Sequence, residues 1–90
     1  MIMKIKGEYS VREIAGENVV VPIGETVLKS NILAVLNETG KIFWDMLAKG
    51  STEDEIADAV CEEYEIDRET VKSDLNDFVA YLKNNHVEVE

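Results

Sequence analysis

Hydrophobic periodicity changes once along this chain, at Asn37. Before it, apolar side chains recur about every second residue, the spacing of a half-buried strand. After it they recur about every 3.6 residues, the spacing of an amphipathic helix. One switch of this kind orders the chain as strands first and helices second. Segregated elements of that sort build an α+β domain, with the helices gathered on one face of a small sheet. Ninety residues hold one hydrophobic core, so residues 1–90 are read as a single domain.

Residues 9–15 alternate imperfectly and read as a first strand. Gly16, Glu17 and Asn18 supply turn chemistry, because Gly and Asn tolerate positive φ. Residues 18–23 are β-branched and read as a second strand, with Pro22 at its end or on an exposed edge. Residues 24–30 are a connection, and residues 31–36 are a short apolar run that reads as the third strand. Closeness in sequence makes an antiparallel meander the simplest arrangement.

Three helices follow, over residues 38–49, 52–64 and 67–85. Asn37 is the expected N-cap of the first, Ile42, Phe43, Met46 and Leu47 its apolar stripe, and Gly50 its stop. Thr52 and Glu55 form a capping box for the second, whose inner face carries Ile56, Ala57, Val60, Cys61 and Tyr64. Asp67 caps the third, and its core face is Val71, Leu75, Phe78 and Leu82. The alternating tail at residues 87–90 fits either a short strand or a frayed end. Residues 1–6 alternate apolar and basic side chains and lack the apolar core of a signal peptide.

Charge excludes several roles. Nineteen acidic and nine basic side chains leave a net charge of −10, which opposes binding to phosphate backbones and to anionic membranes. No apolar run reaches the length of a membrane span. Residues 52–66 hold seven carboxylates and no Lys or Arg. That is either a solvated helix face or a docking face for a basic partner. The single cysteine, Cys61, and the single histidine, His86, cannot make a disulfide or a multi-ligand metal site. A disulfide-free composition makes the cytoplasm the default location. No phosphate-binding loop or metal-binding helix motif occurs. The chain is read as a binding protein rather than an enzyme, with no cofactor and no metal.

Two features invite a partner. A three-stranded meander has two edges with unpaired backbone groups. If strand order follows chain order, Asn31, Ile32, Leu33, Ala34, Val35 and Leu36 form one of them, uncharged and unguarded. Beside the core face of the third helix lies a flank of Lys72, Asn76, Val79 and Lys83, projecting about 80–140° from Val71. It reads either as a groove wall beside the strand edge or as an ordinary helix flank with two solubilising lysines.

A resemblance sharpens this. Leu36-Asn37-Glu38-Thr39-Gly40, with Trp44 and Leu47 following, resembles the PqqD family, named for pyrroloquinoline quinone biosynthesis protein D. So do the stretch from Gly50 through Ser51, Thr52, Glu53, Asp54 and Glu55 to Ile56, and Tyr64-Glu65-Ile66-Asp67 followed by Val71, Asp74, Leu75, Phe78 and Leu82. Upstream, Val20-Val21-Pro22 and Asn31-Ile32 match its strand region.

The resemblance implies three strands plus three helices, related to winged helix-turn-helix modules. It implies a peptide chaperone that binds the leader of a ribosomally made precursor peptide and presents it to a modifying enzyme, often a radical S-adenosylmethionine protein. The leader is expected to add as a strand beside residues 31–36 and to pack against the third helix, with an apolar anchor on Leu75 and Val79 and acidic residues at Lys72 and Lys83. The acidic second helix is then left to dock the modifying enzyme. Where many relatives carry Gly near the end of the last helix, this chain has Asn84-Asn85-His86, and Asn is a residue that can take the left-handed cap conformation. Two other readings share the element order: a winged-helix DNA-binding regulator, which the net charge opposes, and a homodimer that pairs the same bare edge with itself.

Overall fold

The computed structural model describes residues 1–28 and 34–90. Its centre is a three-stranded antiparallel sheet followed by three helices. We number the strands β1 (Ile2–Met3), β2 (Ile5–Lys6), β3 (Tyr9–Ile14), β4 (Glu17–Pro22), β5 (Ala34–Leu36), β6 (Ser51–Thr52) and β7 (Glu88–Val89). The helices are α1 (Glu38–Lys49), α2 (Glu53–Glu63) and α3 (Arg68–Asn84). A 3₁₀ turn at Gly24–Leu28 follows β4.

β3 and β4 form a hairpin closed by two residues. Ala15 (φ 51°) and Gly16 (φ 81°) both lie in the left-handed region, so the turn is type I′ and its twist matches that of the strands. The turn falls earlier than the sequence suggests, and β4 begins at Glu17. β5 pairs with the far side of β4, giving the order β3-β4-β5. Tyr9, Val11, Val20, Ala34 and Leu36 point toward the helices, and Val19 and Val35 lie on the opposite face.

Local capping sets the helix starts. Asn37 accepts from the Gly40 N–H at 2.7 Å. Thr52 and Glu55 make the reciprocal capping box. Asp67 accepts from the Thr70 N–H. Gly50 takes φ 88° after α1, where any other residue would be strained.

The apolar stripes meet in one cluster. Val20, Ala34, Leu36, Phe43, Trp44, Leu47, Ile56, Val60, Val71, Leu75, Leu82 and Val87 are all buried within it. Ile5 joins them from the amino-terminal arm. That arm is strand rather than coil: β1 pairs with β6, and β2 pairs with β7. Lys4 and Glu90 exchange backbone hydrogen bonds of 3.2 and 2.8 Å. The carboxy-terminal tail is therefore a strand and not a frayed end.

At the end of α3 the left-handed position falls on neither asparagine. Asn85 has φ −98°, and the left-handed residue is His86 at φ 64°. The His86 N–H donates to the Lys83 carbonyl at 3.0 Å, and the Val87 N–H to the Leu82 carbonyl at 2.9 Å. This is the Schellman arrangement, with Leu82 and Val87 buried at its two ends. An L-residue in this conformation costs about 1–2 kcal/mol that glycine avoids. His86→Gly is expected to raise stability by about 1 kcal/mol, net of glycine's extra chain entropy, in urea unfolding. A lowered midpoint would show that the imidazole contributes more than the strain removes.

A charged brace joins α2 to α3. Arg68 pairs with Asp54 and Asp58, and Lys72 with Glu53 and Asp54 at 3.6 and 3.3 Å. The hydrogen bonds from Arg68 and then Lys72 hold the Asp54 carboxyl below its usual range. A depressed carboxylate pKa contributes stability above the unfolded value of about 4, which is lost as pH falls through the folded value. Asp54→Asn is therefore expected to melt slightly below the parent at neutral pH. The gap should close as pH falls through and below the ordinary carboxylate range, and a gap independent of pH would rule out this origin.

Candidate functional site

β5 is an edge strand: its only partner among the described residues is β4. Which of its backbone groups point outward follows from the hairpin. A two-residue type I′ turn makes its flanking residues, Ile14 and Glu17, a hydrogen-bonded pair. Backbone direction alternates from there along β4. Glu17 and Val19 face β3, while Asn18 and Val20 face β5. Their partners Leu36 and Ala34 accordingly spend their N–H and C=O groups on β4. Val35, opposite Val19, directs its N–H and C=O to the open side. Val35 is half exposed.

At the end of β5, Phe78 of α3 comes close to Gly40 in the first turn of α1. A methyl group built on Gly40 would lie 3.4 Å from Phe78 Cε1 and 3.7 Å from Leu36 Cβ. The tightest approach to that methyl is the Asn37 Oδ1 at 3.0 Å, so the missing side chain at Gly40 leaves room for the N-cap of α1. Phe78 continues a row of rings, with centroids 5.5 Å from Phe43 and 6.4 Å from Tyr81. Tyr81 is exposed. Next to them a cleft of roughly 400 Å³ is lined by Asn37, Thr39, Gly40, Phe43, Asp74, Asp77 and Phe78. Asp74 and Asp77 are exposed, and among the described residues neither forms an ion pair.

The structure separates the residues singled out from sequence. Ala34, Val35 and Leu36 are on the open edge. Asn31, Ile32 and Leu33 lie outside the described residues. Leu75 is buried and supports the helix from beneath. The flank of Lys72, Asn76, Val79 and Lys83 is turned away from Phe78. Lys72 is tied to Glu53 and Asp54 on α2. Lys83 borders a different depression, with Lys6, His86 and residues of the carboxy-terminal strand. Asn76 is exposed, and Val79 packs partly against the core. Asp74, Asp77, Phe78 and Tyr81 lie on the opposite flank of α3, and the first three of them line the cleft beside Gly40. From sequence both flanks of the Val71–Leu75–Leu82 stripe are equivalent. The position of α2, which claims the lysine side, breaks that symmetry. Phe78 was visible only as a core residue, although its half-buried ring serves both core and cleft.

No metal-ligating cluster occurs among the described residues, and no helix there is long and apolar enough to cross a membrane.

Comparison with known proteins adds to this geometry. No curated protein matches the chain. The solved structure described as TbiB1 in complex with the TbiA(beta) leader peptide is 34% identical, matching over 94% of each chain with a TM-score of 0.74. The family model for coenzyme PQQ synthesis protein D matches residues 17–87, a span that takes in β4, the open edge and all three helices. On that match, and on a backbone whose strand order and helix order follow suit, this chain is a member of the PqqD family.

Proposed function

We propose that the chain binds the leader segment of a ribosomally made precursor peptide and presents it to a modifying enzyme. The leader adds to the sheet as a fourth strand at the open side of β5. Backbone hydrogen bonds at Val35 set its register, and side chains pointing toward α3 rest on Phe78 and Tyr81. The observation that carries this reading is the unpaired β5 edge beside α3, in a chain 34% identical to a protein solved with a leader peptide. The chain's part is capture and presentation, with the chemistry left to the partner enzyme, a radical S-adenosylmethionine protein or another peptide-modifying enzyme.

A free leader is disordered, and its ordering on capture weakens binding for a given contact area. The modest affinity that results suits a carrier that must release its cargo. The acidic outer face of α2 stays clear of the groove and is available to the modifying enzyme.

The test is an amide-shift titration of the full chain with leaders from precursor peptides encoded beside its gene. Shifts concentrated at residues 34–36 and on the Asp74, Phe78 and Tyr81 side of α3 support the reading. Shifts confined to the Lys72 and Lys83 side, or to β3, overturn the placement of the leader.

A further inference from the structure

The groove beside β5 has a polarity of its own. Asp74 and Asp77 sit one turn of α3 before Phe78 and Tyr81, so the wall is carboxylate at one end and aromatic at the other. The carboxylate end opens at Asn37 and Thr39, past the end of β5, and Phe78 stands beside Leu36. Lys72 is held by α2 and Lys83 lies at another depression, so neither described lysine of α3 neutralises this end.

From this we infer that the peptide bound in the groove carries a lysine or arginine two positions before an aromatic or large aliphatic anchor. The inference rests on the strand-addition reading above and specifies the cargo. Spacing follows from two rises. The carboxylates and the rings are four residues apart on α3, about 6 Å at 1.5 Å per residue. An extended peptide covers that distance in about two residues, at roughly 3.3 Å each. Residues two apart on a strand share a face, so both side chains reach the same wall. Order follows from direction. Every pair in the central sheet is antiparallel, and a peptide continuing that pattern places its amino-terminal side at the Leu36 end, where the carboxylates are. The basic residue therefore precedes the anchor. This reverses the charge expected from Lys72 and Lys83, which called for an acidic cargo.

The probe is a displayed library of short random peptides, selected in parallel on the full chain and on its D74N/D77N variant. Both aspartates are exposed on a helix, so the variant is expected to fold, and a thermal melt checks it. Peptides captured by the parent should share a Lys or Arg two positions before an aromatic or aliphatic residue. Replacing that Lys with Gln in a selected peptide should weaken binding to the parent about fivefold, the scale of two rim charges, and should leave binding to the variant unchanged. Selected peptides without a basic residue at that position, or a Lys-to-Gln loss that persists in the variant, overturn the charge assignment. Strand addition survives that result if Val35→Pro still abolishes capture of the same peptides. If capture is indifferent to Val35→Pro, strand addition fails and the cargo assignment falls with it.

Discussion

Val35→Pro is expected to abolish leader capture in a protein that remains folded. Val35 is the described β5 residue whose N–H and C=O face away from β4, so proline removes a donor that the isolated domain does not use. Its neighbours Ala34 and Leu36 keep their bonds to Val20 and Asn18, respectively, on the other side. The valine side chain is half exposed and contributes little packing. An incoming strand, by contrast, loses a hydrogen bond, buries an unsatisfied carbonyl and meets the proline ring. One stranded buried carbonyl alone costs about 1–3 kcal/mol, or roughly ten- to a hundredfold in Kd. Isothermal titration with a leader, alongside a thermal melt, separates the two effects. Full affinity in the variant would end the strand-addition account.

The second large effect concerns stability. Leu82→Ala is expected to cost about 2–5 kcal/mol, the range for a fully buried leucine that leaves a cavity. Leu82 is 0% exposed, and it is also the residue whose carbonyl accepts from Val87 at the end of α3. A chain of this length has a total stability of about 5–13 kcal/mol, so one truncation removes a large share. Loss should extend beyond the cavity, because Val87 leads directly into β7 and β7 holds β2. Hydrogen exchange should therefore speed at Lys4 and Glu90 more than at Val60. Urea unfolding gives the magnitude. A cost below about 1 kcal/mol would mean that the site collapses around the missing side chain.

What could be read from sequence depended on the range of the interaction. Helix starts were legible because their causes are local: Asn37, the Thr52–Glu55 box and Asp67 each act within three residues. The fold class followed from the change of periodicity at Asn37. β1, β2 and β6 were not legible, because two-residue strands are too short for alternation to identify them and their partners lie far along the chain. His86 escaped because a left-handed histidine is set by the Leu82–Val87 contact and not by propensity. The open edge at Ala34, Val35 and Leu36 was readable from strand order. Which flank of α3 meets α2 was not, since only packing decides it.

The reciprocal bonds between Lys4 and Glu90 have a kinetic meaning. They close nearly the whole chain into a ring, the largest closure the molecule makes, and closure entropy rises with the length enclosed. The helices α1 to α3 and the β3–β4 hairpin rely on neighbours in sequence and can form early. The seam between the two ends is expected to form late in folding and to open early on heating, which hydrogen exchange at Lys4 and Glu90 would read. Any event that pulls at either end reaches α3 through that seam, well before the centre of the domain gives way.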